Sequence, residues 1–167
     1  MPISAYVKRN HYARPMAYTT AEGRQELLDA LAEVIEHIVV GLAALGAAYE
    51  QLDERNADRL EEELFGPVQV AYGRAKRVHA QFAERSGMAS GPFESPSAGL
   101  PSTGAKGFID NAVDAVARAD GALSALQDSM LPAEVGDAEL RAALANVREL
   151  LGGVRQHARD LERTLGR

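Results

Sequence analysis

The sequence predicts an all-α protein, an antiparallel four-helix bundle, because four stretches carry apolar residues at alternating spacings of three and four. Such spacing keeps one narrow seam of each helix turned towards its partners. The chain has 167 residues and no cysteine. That length suits one domain that buries enough surface to fold without a disulfide or a metal, and the missing cysteine excludes thiol chemistry.

The first 19 residues do not follow the helical period, so we predict an extended arm at 1–19 ahead of a bundle at 20–167. The net charge of the arm is +3. Since the net charge of the whole chain is -6, the net charge of the bundle is -9. Its basic and aromatic residues alternate, and they are Lys8, Arg9, Arg14, Tyr6, Tyr12 and Tyr18. The arm either packs on the acidic surface of its own bundle or binds an acidic partner, and the sequence leaves both open.

The first helix is predicted at about 20–54. Thr19 or Thr20 offers a hydroxyl N-cap, and Glu22 follows in the first turn, where the helix dipole favours an acid. The predicted seam of this helix is Leu28, Leu31, Ile35, Ile38, Leu42, Leu45, Tyr49 and Leu52.

The second helix is predicted at about 57–86, after a polar turn at 53–58. Its seam is Leu64, Val68, Ala71, Ala75, Val78 and Phe82. Gly66 and Pro67 interrupt it, because proline removes one backbone hydrogen bond and clashes with the preceding turn. Either the helix kinks there or a short helix ends before Gly66 and a new one starts at Pro67.

A long loop follows at 87–104, where 11 of 18 residues are glycine, proline or serine. Extended, it could reach roughly 60 Å, so it permits either a neighbouring third helix or a crossover to the other end of the bundle. The third helix is predicted at about 105–131, with the seam Ile109, Ala112, Val116, Ala119, Leu123, Leu126 and Met130.

The fourth helix is predicted at about 138–165, with Asp137 as its N-cap. Its seam is Leu140, Leu144, Val147, Leu151, Val154, Ala158, Leu161 and Leu165. Gly152 and Gly153 lie outside this seam, and each costs up to about 1 kcal/mol relative to alanine within a helix. They mark either a weak point or a close contact.

The best functional lead is the side of the first helix opposite its seam. Val40, Ala43, Ala44 and Ala47 lie there, although a helix that is apolar all round is usually buried all round. The arm, the long loop or a second protein must cover these residues. We predict that they bind a protein partner, and that the partner is a second copy of the chain.

Metal or cofactor chemistry has little support in the sequence. Di-iron bundles use inward Glu-x-x-His pairs, and no histidine here has a glutamate three residues before it. If the second and fourth helices run parallel, His79 and His157 lie within a turn of each other, so a ligand or metal site near them is the alternative function. We otherwise predict no metal, no cofactor and no catalytic residue.

Charge and hydropathy limit the remaining classes of function. A net charge of -6 argues against bulk nucleic-acid binding, which needs clustered positive charge. The longest uncharged apolar run, at 38–49, is shorter than the roughly 20 residues of a membrane span, and no signal peptide is evident. The sequence therefore predicts a cytoplasmic, non-enzymatic interaction or regulatory module that self-associates.

Overall fold

The computed structural model describes the backbone of residues 2–166 and the side chains of residues 20–166, and this part of the chain is helical without a β-strand. A π-helical segment, Glu61–Phe65, separates α2 from α3, and a 3-10 turn at Pro101–Thr103 precedes α4. The α-helices are α1 (Pro2–Glu50), α2 (Glu54–Leu60), α3 (Gly66–Arg85), α4 (Gly104–Asp128), α5 (Leu131–Glu134), α6 (Ala138–Gly152) and α7 (Val154–Leu165). The all-α prediction is confirmed, and the described chain has four long helical stretches: α1, residues 54–85, α4 and residues 138–165.

The first helix differs most from its prediction. It begins at Pro2, so the helix start predicted at Thr19 or Thr20 is wrong and the extended arm predicted for residues 1–19 is not confirmed. A threonine hydroxyl favours a helix start, but threonine inside a helix costs less than about 1 kcal/mol, so it does not force one. The side chains of residues 1–19 lie outside the described residues, so what the arm contacts stays a prediction.

Residues 54–85 and 138–165 are neighbours that run in opposite directions. Arg85, the last residue of α3, donates to the carboxylate of Asp137, just before α6, at 2.9 Å. Arg59 in α2 donates to the hydroxyl of Thr164, near the end of α7, at 2.7 Å. The parallel arrangement of these two stretches, which was the condition for bringing His79 and His157 together, is therefore not present.

Residues 54–85 and 138–165 are antiparallel because residues 86–100 form a crossover loop. The loop starts beside Asp137, at one end of the bundle. It ends where the side-chain amide of Gln51, just after α1, donates to the carbonyl of Pro101 at 2.8 Å. Fifteen extended residues reach about 50 Å, more than the roughly 38 Å length of α4. Of the two paths that the sequence allowed, the structure shows the crossover.

The predicted interruption at Gly66 and Pro67 is present as the π-helical segment. The N–H of Gly66 donates to the carbonyl of Glu61, five residues earlier, and the backbone stays helical through Phe65 and Gly66. Pro67 cannot donate, and the wider π turn accommodates this missing bond without ending the helix. The alternative of a separate helix starting at Pro67 is therefore wrong.

Most predicted seam residues form the hydrophobic core. All six seam residues of the second helix are buried, as are the third-helix seam up to Leu126 and the fourth-helix seam up to Leu161. Leu165 is partly buried, and Met130 is exposed because it has a left-handed backbone (φ 68°) where the chain turns into α5. The predicted N-cap is also confirmed, since the Asp137 carboxylate accepts the backbone N–H of Leu140 at 2.8 Å.

In α1 the buried surface is wider than the predicted seam. The seam residues up to Ile38, together with Leu45, are buried, but Leu42 and Leu52 are only partly buried and Tyr49 is exposed. The additional buried residues are Leu27, Val34, Val39, Ala44 and Ala48. This width arises because α1 packs on both α3 and α4, so two of its sides are covered.

Candidate interaction site on α1

The candidate site is the outer face of α1, which we define as Val40, Ala43 and Ala47. These positions are three and four residues apart, so they share one side of the helix. Val40 is 41% exposed, and Ala43 and Ala47 are partly exposed. The outer face therefore presents one branched apolar side chain and two methyl groups to the outside of the bundle.

Ala44, which we predicted with this face, belongs to the core. It is only 3% exposed. The cause lies one turn earlier, where α4 comes so close to Gly41 that a Cβ added there would lie 3.3 Å from Cγ2 of Val116. Because Ala44 follows Gly41 by three residues, it lies on the side of α1 that α4 covers, and it is not available to a partner.

The same side of α1 becomes acidic towards its N-terminus. Asp29, Glu33 and Glu36 are exposed there, and the carboxylate of Glu33 lies 3.8 Å from Nε2 of His37. The outer face is therefore the apolar half of a helix surface whose other half is negative. A partner that binds the outer face therefore lies beside these carboxylates.

The crossover loop covers part of the acidic half. A groove of about 470 Å³ lies between α1, the end of α3 and the loop. Its walls include Asp29 and Glu36 from α1, Phe93 and Glu94 from the loop, and His79 from α3, but none of the outer-face residues. The first part of the loop therefore packs beside the acidic half and leaves Val40 exposed.

His79 anchors the loop to the bundle. Its side chain is buried, Nδ1 lies 2.9 Å from the hydroxyl oxygen of Ser90, and the ring meets Phe93 edge-on with the centroids 5.4 Å apart. Burial lowers the pKa of His79, while a hydrogen bond to the Leu28 backbone and the charge of Asp29 oppose that shift. The neutral ring is therefore the form that this site stabilises.

His79 and His157, which the alternative function would place within a turn of each other, are far apart. Arg74 donates to the side chain of Asn146, and Arg59 meets Thr164, so His157 lies level with the middle of residues 54–85. His79 lies about 14 residues further along α3 than the position level with His157, which corresponds to roughly 20 Å along the helix axis. His157 is also exposed. His79 and His157 therefore do not form a shared site.

The described residues contain no group of three or more His, Asp or Glu side chains placed to hold a metal ion. One polar contact that the sequence analysis did not single out joins α4 to α7: the carboxyls of Asp110 and Glu162. Pairing of this kind depends on which helices become neighbours, and no motif along the chain marks it.

One helix in the described residues, Thr20–Glu50, is long and apolar enough to cross a membrane by length and composition. The uncharged run at 38–49, from which the sequence predicted no membrane span, is only part of this segment. In the fold, 44% of the most apolar part of the helix is buried, and core helices of globular proteins meet the same criterion. The finding is weak evidence for a membrane span.

Comparison with protein-family models, with curated proteins and with solved structures finds no significant match to this chain.

The lowered pKa of His79 predicts that acid weakens the attachment of the loop. A histidine whose folded pKa lies below the ordinary 6.5 stabilises the fold fully above 6.5, and that contribution is lost as the pH falls through 6.5 towards the folded pKa. On going from pH 7.5 to 5.5, we expect the stability measured by urea denaturation to change less favourably in the wild type than in His79→Phe. The exposed His157→Phe variant serves as the control and should keep the wild-type pH dependence. The same pH dependence in His79→Phe as in the wild type would contradict the assignment.

Proposed function

We propose that this chain is a non-enzymatic helical interaction or regulatory module that self-associates through the outer face of α1. The observation that carries the proposal is the exposed side chain of Val40 in line with Ala43 and Ala47. Small side chains allow a second helix to approach closely, and exposed apolar surface gains free energy when a partner covers it.

A two-fold antiparallel arrangement fits the outer face. If two α1 helices cross near Ala43, then Val40 of one copy lies beside Ala47 of the other, and the same contact forms twice. Three side chains bury little area, and a stable dimer needs about 1,200–2,000 Å² in total. The interface must therefore also include residues on either side of the outer face.

Carboxylates at both ends of the outer face make the expected association sensitive to salt. Glu36 and Glu50 flank the outer face and are exposed. In the antiparallel arrangement, Glu36 of one copy lies near Glu50 of the other, so like charges oppose association. Added salt screens exposed charges, with a Debye length of about 8 Å at 0.15 M, so salt should strengthen the association.

The test is the oligomeric state of wild type, Ala43→Arg and Ala47→Glu, measured by light scattering after gel filtration at 10 to 500 µM protein. We expect a dimer for the wild type and folded monomers for the variants. A charge that must be buried without a partner costs several kcal/mol, which shifts the dissociation constant by roughly 100-fold or more. The variants should stay helical because both positions are partly exposed in the single chain.

The matched control is Ala145→Arg, which places the same charge on the exposed side of α6 and should leave the dimer intact. Circular dichroism establishes that each variant is folded. A wild type that is monomeric at the highest concentration, or a dimer that both variants preserve, would refute self-association through this face.

A further inference from the structure

The fourth helical stretch is divided at a pair of glycines. α6 ends at Gly152, α7 begins at Val154, and the described side chains provide no N-cap for α7. A Cβ added to Gly152 would meet no atom within 4 Å, and one added to Gly153 would meet only the exposed ring of His157, at 3.3 Å. Close packing does not require either glycine, so the pair is a point of weakness rather than a close contact.

Beyond this point, α7 is held by an apolar face and by polar contacts near its far end. Val154, Ala158 and Leu161 are buried against the bundle. Thr164 accepts a hydrogen bond from Arg59, and Glu162 lies against Asp110 of α4. The helix is therefore pliable at its start and attached at its end.

The Asp110–Glu162 contact joins two carboxyl groups. Oε1 of Glu162 is shielded from solvent and meets no hydrogen-bond donor in the described part of the chain. Two ionised carboxylates can only accept hydrogen bonds, so the contact is favourable only when one carboxyl carries a proton. Nζ of Lys106 lies 3.5 Å from a carboxylate oxygen of Asp110. Glu162, whose Oε1 is shielded from solvent and meets no donor among the described residues, is therefore the carboxyl to which we assign the proton.

We propose that the Asp110–Glu162 pair is a proton-dependent latch, which holds α7 on α4 while Glu162 is protonated and lets α7 open about Gly153 when the proton is lost. Opening exposes the apolar face of α7 and the surface of α4 that it covers. This device is separate from the outer face of α1 and does not depend on self-association.

The electrostatic surroundings of Glu162 support this assignment. Burial, and then the hydrogen bond and the charge of Asp110, raise its pKa from 4.5 to about 7, while Lys106 opposes the shift. On the side of α2 and the π-helical segment, Arg59 is paired with Glu63 at 3.3 Å. On α7 itself, Arg163 pairs with Asp160.

The direction of the pH effect follows from this raised pKa. A carboxyl whose folded pKa exceeds its ordinary value stabilises the fold fully below 4.5, and the contribution is lost as the pH rises through about 7. Glu162 is only partly buried, so solvent screens much of the repulsion. Because the apolar face of α7 also holds the helix, we expect a change in the population of the open form and not complete release.

Hydrogen exchange of the backbone amides of α7, corrected for intrinsic exchange rates, tests the latch. Between pH 6 and pH 8.5 we expect protection to fall about fivefold, which equals roughly 1 kcal/mol. In Glu162→Gln, the neutral amide can donate to Asp110 at every pH, so protection should no longer depend on pH. The matched control Glu149→Gln, on the exposed side of α6, should keep the wild-type dependence.

A direct carboxyl titration by carbon NMR on the wild-type protein avoids any question about the folding of variants. We expect the resonance of Glu162 to titrate well above 4.5. A midpoint at the ordinary value, α7 protection that does not change with pH, or an unchanged pH dependence in Glu162→Gln would each overturn the proposal.

Discussion

Phe108→Ala is expected to lower the free energy of unfolding by about 3–5 kcal/mol. Phe108 is 1% exposed and is among the largest fully buried side chains of the described chain. Truncation to alanine removes most of a buried ring and leaves a cavity that the surrounding helices cannot close completely. Since domains are typically stable by 5–15 kcal/mol, this single change removes a large share of the total.

Chemical denaturation followed by circular dichroism measures this loss. Leu100→Ala is the matched control, because Leu100 is apolar but 72% exposed at the end of the crossover loop, so its truncation should change stability by less than about 0.5 kcal/mol. If Phe108→Ala and Leu100→Ala cost the same, the packing of α4 described above is wrong.

Ala44→Asp should also destabilise the fold strongly, by about 3–5 kcal/mol, because it places a carboxylate without a partner in the core. Ala44 is almost fully buried on the side of α1 that α4 covers, and the aspartate side chain is too short to reach solvent from there. We expect this loss to become smaller at low pH, where the carboxyl is protonated.

The neighbouring substitution Ala43→Asp provides the comparison, since it makes the same chemical change one residue earlier, on the outer face. It should leave the unfolding transition of the single chain within about 1 kcal/mol of wild type, with the difference arising from helix propensity. Urea denaturation at a protein concentration too low for association separates the two variants. Equal destabilisation would contradict the position of the outer face.

Much of the fold could be predicted from local patterns. All six apolar positions of the second helix, from Leu64 to Phe82, are buried as their spacing predicted. Asp137 caps α6, and the helix is irregular just before Pro67, as the lost N–H of proline requires. These features depend on residues within about one turn of each other, so the sequence displays them directly.

The candidate site was only partly predictable. Val40, Ala43 and Ala47 were identified because they lie opposite the apolar seam, and that position depends on helical geometry alone. Ala44 was assigned to the exposed side because the predicted seam assumes that other helices cover one side of α1. In the structure, α3 and α4 cover two sides. Phe108 lies just before the predicted third seam, and it is buried because α4 packs on α1 and on residues 138–165 at once.

The sequence by itself determined that this protein is helical, where most of its helices begin and end, and which side of each faces the core, because 3.6-residue periodicity and end signals act within a single helix. Only the tertiary structure decided that residues 86–100 cross the bundle, which makes residues 54–85 and 138–165 antiparallel neighbours. With the chain on this crossover path, His79 lies far from His157, and Glu162 lies beside Asp110. The physical reason is that a flexible connection of this length reaches either end of the bundle at similar entropic cost, so long-range packing selects its path.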